Sequence, residues 1–145
     1  MNIKKRMLGL DVGDKRIGIA LSDPLGITAG GLETLQRVNI EQDVHKIAQL
    51  AERHAVVQIV IGLPLNMDGS SGNQAEKVKA FGRKLARATD LAIIYEDERL
   101  STISAIRTLT IQGVKTGDKK DLVDRQAAAI ILQKFLDRNV PPSSA

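Results

Sequence analysis

Three places in the sequence set carboxylates where a folded chain must account for their charge. The first is Asp11 in LGLDVGDKRIGIAL, a lone acid at the end of an apolar run. Burying it is costly unless something cationic meets it. Asp14 suits the role of ordinary turn acid, because it sits inside the turn itself. Asp11 lies nearer the carboxyl end of a strand, where α/β sheets bind ligands. The second place is Glu96-Asp97-Glu98, followed by Arg99. Three adjacent acids repel one another, and strand alternation sends Asp97 to the opposite side from Glu96 and Glu98. Either Arg99 neutralises a solvated strand end, or a divalent cation makes the repulsion tolerable. The third is Asp124, in KKDLVDRQAAAIILQKFL. Asp121 and Asp124 resemble a capping box, with Asp121 as the cap. Helical spacing also puts Asp124 on one face with Ala127, Ala128 and Ile131, a small apolar stripe suited to packing on a sheet. A carboxylate there points toward the sheet, and the positive helix end favours its ionised form.

Three carboxylates brought to one sheet edge are what a magnesium-dependent phosphodiesterase needs. Magnesium takes oxygen ligands and keeps several waters. In a two-metal site the ions stand roughly 3.5–4 Å apart and clamp the attacking and leaving oxygens. His45 lies among Glu41, Gln42 and Gln49 on a polar helix face, and His54 in a last helical turn, so neither reads as a ligand. The chain has no G-x-x-x-x-G-K-[ST] phosphate loop, and no G-x-S-x-G or Ser/His/Asp arrangement suggests nucleophilic catalysis.

The elements that must position these acids follow from the change of hydrophobic period along the chain. Residues 7–12 and 17–22 read as strands joined by a tight turn over Gly13–Arg16. Asp23-Pro24-Leu25-Gly26 is a second turn, and a third strand spans about 27–36, where Gly30-Gly31 marks a bulge or a close backbone approach. Asn39 caps a helix through Gln42, with Ile40, Val44, Ile47 and Leu50 at helical spacing. Val57–Gly62 is apolar enough for a strand buried on both faces. A polar, glycine-rich loop, Leu63–Gly72, leads into a helix over Asn73–Ala88 whose inner face is Val78, Phe81, Leu85 and Ala88. Leu91–Tyr95 forms the last strand. Ser101 caps a helix carrying Ile103, Ile106 and Leu109, ended by Gly113; after a loop over Val114–Lys120, the final helix runs from about Asp121 to Arg138. The fold class is α/β: a mixed five-stranded sheet in βββαβαβα order with helices on both faces. Residues 1–140 make one domain, and 141–145 (PPSSA) a disordered tail.

Composition narrows the partners. A chain of 145 residues with 43% hydrophobic content fits one packed domain. Cysteine is absent, which excludes a disulfide framework and thiolate metal sites. Without a signal peptide or a membrane-length apolar run, the expectation is a cytoplasmic protein with no membrane partner. The net charge of +4 permits a polyanionic partner. Basic residues gather at Lys4-Lys5-Arg6, at Lys77, Lys79, Arg83, Lys84 and Arg87, and at Lys115, Lys119 and Lys120. Phe81, Tyr95 and Phe135 are the only aromatic side chains. A protein that reads single strands by stacking wants more rings, so any nucleic acid is held by backbone and shape.

Four motifs in order, LDVGDKRIGIALSD, IVIGLPLNMDGSSG, YEDERLST and DLVDRQAAAIIL, span nearly the whole chain. As a set they resemble the YqgF/RuvX family of the ribonuclease H-like superfold. The resemblance implies a small bacterial nuclease, by similarity to RuvC a Holliday junction resolvase, and one also assigned to maturation of the 5′ end of pre-16S ribosomal RNA. It implies catalysis and metal binding by Asp11, Glu98 and Asp124, with Asp97 as the substitute for Glu98 should the strand phase differ. Two Mg2+ or Mn2+ ions would then activate water, with Asp11 bridging them. Lys115, Lys119 and Lys120 would hold the substrate backbone. Arg99 would pair with a carboxylate or touch the scissile phosphate, and Asn66, Ser70 and Ser71 would order on substrate. The partner would be structured RNA or branched DNA, and the protein a monomer or weak homodimer. Two rival classes share the superfold. Actin-like ATPases also open with an Asp-x-Gly strand turn, but bind ATP between two such domains, and this chain has length for one. A non-catalytic nucleic-acid-binding module would not need all three acids.

Overall fold

The computed structural model describes residues 5–99 and 117–139, with side chains from Lys120 onward in the second stretch. The elements are β1 (Arg6–Val12), β2 (Arg16–Ser22), β3 (Ala29–Gln36), α1 (Ile40–Arg53), β4 (Val56–Leu63), α2 (Asn73–Thr89), β5 (Ala92–Asp97) and α3 (Gly117–Arg138). The helix expected after Ser101, the basic residue Lys115 and the tail lie outside the described residues. The sheet order is β3-β2-β1-β4-β5. The β1–β2 and β2–β3 pairs are antiparallel, and β4 runs parallel to both β1 and β5. This is the mixed five-stranded sheet expected from the sequence. Among the described residues no helix is long and apolar enough to cross a membrane.

Alternation along β1 divides the core in two. Leu8, Leu10 and Val12 join Ile17, Ile19, Ile59 and Ile61 beneath α1 and α2, in one cluster with Val44, Ile47, Val78, Phe81 and Leu85. On the other face α3 brings Ala127, Ala128, Ile131, Leu132 and Phe135 against Ala20 and Val60. Each fully buried Leu, Ile or Phe contributes about 1.5–3 kcal/mol, so both helical layers are held firmly to the sheet.

Helix α3 lies directly on strand backbone, and glycines make that approach feasible. A Cβ at Gly9 would stand 2.7 Å from Leu132 Cβ, and one at Gly18 only 1.9 Å from the Asp124 carbonyl oxygen. The Gly30-Gly31 signal resolves into both of its expected meanings. The β2–β3 register shifts between Ile19 and Ala20, and a Cβ on Gly31 would be 3.0 Å from Arg125 Cβ.

Several boundaries differ from the sequence expectation, for local reasons. Strand β3 starts at Ala29 rather than residue 27, because Asp23 Oδ1 accepts from the backbone N–H groups of Ile27 (2.7 Å) and Thr28 (3.1 Å) and keeps them in the turn. Strand β5 continues through Glu96 and Asp97, since pairing with Gly62 and Leu63 of β4 extends that far. Helix α3 begins at Gly117. Lys119 and Lys120 are therefore helical rather than loop residues, and Asp121 is not a cap. In α2 the buried face takes Ala75 and Gly82, while Ala88 is exposed in the last turn. Val57, at the start of β4, is 43% exposed, so that strand is buried on both faces only beyond its first residues.

Candidate active site

Asp11 is 6% exposed and Glu98 8%. They belong to one row across the sheet. Asp11 on β1 pairs with Gly18 on β2, and the Leu10–Ile61 pair puts Gly62 of β4 beside Asp11 on the other side. The two flanking glycines each give their side-chain volume to one of the other acids. Above Gly18 lies the Asp124 backbone, and a Cβ on Gly62 would meet Glu98 Oε2 at 2.7 Å. With strands about 4.8 Å apart, Gly18, Asp11 and Gly62 span roughly 10 Å, all beneath α3. The three acids read from distant parts of the sequence thus share one face and one end of the sheet.

The turn after Asp11 is fixed from behind. Gly13 N–H donates to the Arg16 carbonyl at 2.9 Å, and Arg37 N–H to the Lys15 carbonyl at 3.0 Å. The Arg37 guanidinium donates to the Gly13 carbonyl (2.9 Å) and to Asp43 Oδ2 (2.9 Å), and lies 5.3 Å over the Phe81 ring centroid. Asp43, fully buried, also accepts from Val38 N–H at 3.0 Å. The sequence reading missed this clamp. Its signal was the one used for Asp124, because Asp43 falls on the apolar stripe of Ile40, Val44 and Ile47.

At the β5 end the alternating acids separate as expected. Glu96, 2% exposed, accepts from Arg138 at the end of α3. Glu98 N–H donates to the Leu63 carbonyl at 3.2 Å, tying its backbone to β4. Asp97 instead accepts from the Arg99 backbone N–H (2.8 Å) and from its guanidinium (2.9 Å to Nε). These bonds hold the Asp97 carboxyl below the usual carboxylate range. Arg99 also donates to the Met67 carbonyl at 3.2 Å, latching the loop over 64–72 to the same end of the sheet. Inside that loop Asn66 donates to Ser70 Oγ (3.0 Å), Ser70 to Asp68 (2.6 Å), and Lys79 to Ser71 Oγ (2.7 Å). Arg99, Asn66, Ser70 and Ser71 all lie at the site's edge, engaged with the protein itself. Lys120 is exposed in the first turns of α3.

Asp124 is gripped by a residue that the sequence reading did not single out. Arg16 Nε donates to Asp124 Oδ2 at 2.6 Å, with Asp121 Oδ1 3.9 Å away. Asp121 accepts from Gln36 Nε2 at 3.1 Å, and its carbonyl accepts from the Thr34 hydroxyl at 2.6 Å. Period two puts Arg16 on the face of Gly18, so its direction was legible although its partner was not.

The donor set suits hard divalent cations: three carboxylates and neither thiolate nor imidazole. Among the described residues no three acids or histidines stand within joint ligating reach as they lie, with Asp124 turned to Arg16.

Comparison with known proteins finds similarity over most of the chain. The family model described as "RuvX: Holliday junction resolvase" matches residues 5–138. A protein of Desulforamulus reducens named "Putative pre-16S rRNA nuclease" is 50% identical over 132 residues, covering 91% of this chain and 96% of the relative. One of the same name from Gloeobacter violaceus is 53% identical over 131 residues, 90% of this chain and 83% of the relative. Among solved structures, Thermus thermophilus RuvC in complex with a Holliday junction aligns with a TM-score of 0.58 at 12% identity, over 92% of this chain and 94% of that one. The Fowlpox virus resolvase in complex with its junction DNA gives 0.58 at 12% identity, over 94% and 99%. At such identities the two structures speak for the ribonuclease H-like fold alone.

Proposed function

Because the chain belongs to the RuvX family, we propose that it is a divalent-metal-dependent nuclease that hydrolyses phosphodiester bonds in maturing the 5′ end of pre-16S ribosomal RNA. The observation that carries this reading is the row Gly18–Asp11–Gly62, which gathers Asp124, Asp11 and Glu98 on one face at one end of the sheet. The RNA substrate rests on the relatives' names, at 50% and 53% identity over most of their length.

Asp11, Glu98 and Asp124 are the residues that would hold Mg2+ or Mn2+, and two ions are the expected number. Bound there, the metal supplies charge neutralisation for the scissile phosphate and lowers the pKa of the attacking water. The chain's own residues supply the rest. Asp11, with its turn clamped by Arg37, keeps a fixed position between its partners. Glu98 is oriented over the backbone of Gly62, where any larger residue would displace it. Lys120 is exposed in α3 and available to phosphates, and Lys115 and Lys119 would serve with it. The loop latched by Arg99 brings Asn66, Ser70 and Ser71 to the substrate's path. Asp97, held by Arg99, is outside the ligand set of this reading.

A direct comparison of substrates tests the proposal. Purified protein with Mg2+ should cut a precursor carrying the immature 16S 5′ end and leave a synthetic four-way DNA junction intact. Cleavage of the junction alone would replace the RNA assignment with that of a resolvase, which would also require two active sites acting together.

A further inference from the structure

We infer that Lys79, Arg83 and Arg87 of α2 form a track for backbone phosphates of the RNA substrate, away from the bond that is cut. The inference rests on the nuclease reading above and adds a binding surface on the side of the sheet opposite α3, which that reading does not use. The three cations recur at every fourth residue, so they stack along one stripe of the helix, about 6 Å from one to the next. The buried face of α2 is Ala75, Val78, Phe81, Gly82 and Leu85, whereas Arg83 and Arg87 are exposed.

Packing fixes where the track lies. The Tyr95 ring of β5 rests on Gly82, in the space that a Cβ would fill, and its hydroxyl donates to the Lys79 carbonyl at 3.4 Å. The stripe therefore runs beside edge strand β5. Because β4 and β5 are parallel, α2 returns between them in the opposite direction, and its first turns lie at the sheet end that carries Glu98. Tyr95, beneath Lys79, stands three residues or about 10 Å short of Glu98 along the strand. Lys79 also donates to Ser71 Oγ at 2.7 Å, which joins the track to the loop over 64–72 at the site's edge.

The remaining cations of α2 face acids of the protein instead. Lys77 lies 3.7 Å from Asp14 and Lys84 3.0 Å from Glu41 of α1, both on the flank away from β5. Glu76, the only acid of α2, stands 3.5 Å from Lys79. Arg83 and Arg87 make no ion pair among the described residues. Exposed guanidinium groups in a row suit phosphate, which their planar forks bind through parallel N–H donors.

The test is equilibrium binding of the full chain to a precursor carrying the immature 16S 5′ end, with EDTA present, over a series of salt concentrations. Arg83→Gln/Arg87→Gln is compared with wild type and with Lys77→Gln/Lys84→Gln, which removes the same charge from the other flank. The arginine pair should weaken binding on the order of tenfold at 0.1 M salt and flatten the log–log salt slope by about one to two units. With Mg2+ it should raise KM for cleavage and leave kcat near wild type, since neither side chain is at the reacting bond. The lysine pair should keep wild-type affinity and slope, with both variants melting near wild type. A wild-type slope in the arginine pair overturns the track, and so does an equal loss in the lysine pair, which would make total charge rather than position responsible. In either case cleavage by wild type would leave the nuclease reading standing. A wild type that neither binds nor cuts the precursor overturns both.

Discussion

Neighbouring acids at the end of β5 have opposite fates, and strand phase alone decides which. Glu96 and Glu98 turn inward under α3, whereas Asp97 goes to Arg99. That division was legible in the sequence because a period of two needs only the strand to exist. The identity of the counter-ions was not, since Arg138 and Arg16 reach their acids across 42 and 108 positions. The Asp97–Arg99 pair makes a pH prediction. Its folded pKa is depressed by the guanidinium and by the Arg99 backbone N–H. Its contribution to holding the 64–72 loop is thus present above the unfolded carboxylate pKa and lost as pH falls through the lower, folded value. NMR titration of the Asp97 carboxyl should show it ionising below the usual range in wild type and moving upward in Arg99→Ala. An unchanged titration in that variant would mean that Arg99 is not the cause. The Asp43–Arg37 clamp behind the Asp11 turn gives a larger effect. Truncating one partner of a buried pair costs about 3–5 kcal/mol, so Asp43→Ala should lower the urea midpoint strongly. A loss near zero would mean that the clamp is dispensable.

Helix α3 and the strands under it show what spacing can and cannot tell. Its stripe of Ala127, Ala128 and Ile131 predicted a face against the sheet, and these residues are 0–1% exposed. Its start was misplaced because Asp121-x-x-Asp124 imitates a cap. The competing fact is tertiary: Thr34 and Gln36 of β3 bind Asp121 inside the helix. In LGLDVGDKRIGIAL only Gly13 reads as a turn residue, while Gly9 and Gly18 fall inside the expected strands with no stated purpose; in the fold they serve helix approach. Only a neighbour 106 positions away, Asp124 over Gly18, reveals the need. Gly18→Ala should consequently be severe, since its Cβ would stand 1.9 Å from a carbonyl oxygen of backbone, a clash no rotamer relieves. We expect a stability loss of about 1–3 kcal/mol or more and loss of cleavage, because Asp124 moves with the helix. Gly30→Ala, with nothing within 4 Å of the added Cβ, should leave the denaturation midpoint nearly unchanged. Equal losses in the two variants would refute the close-approach argument.

On the scale of the molecule, element order and chain length were enough for the mixed sheet, because three closely connected strands followed by strand–helix alternation leave few topologies. The convergence of the acids follows from that topology, since β1, β4 and β5 run parallel and end together. What the sequence withheld is the partner of Asp124, since Arg16 stands 108 positions away. The net charge of +4 and the exposed Lys120 of α3 predict binding dominated by phosphate contacts, so affinity for RNA should fall linearly on a log–log plot against salt. A salt-independent affinity would point to another mode of recognition. The central claim is that Asp11 is a metal ligand of a nuclease, and cleavage of precursor ribosomal RNA by wild type and Asp11→Asn, each with Mg2+ and with EDTA, tests it most directly. The account predicts cutting by wild type with Mg2+ alone, and a folded but inactive Asp11→Asn. Undiminished cutting by Asp11→Asn, or by wild type in EDTA, would contradict it.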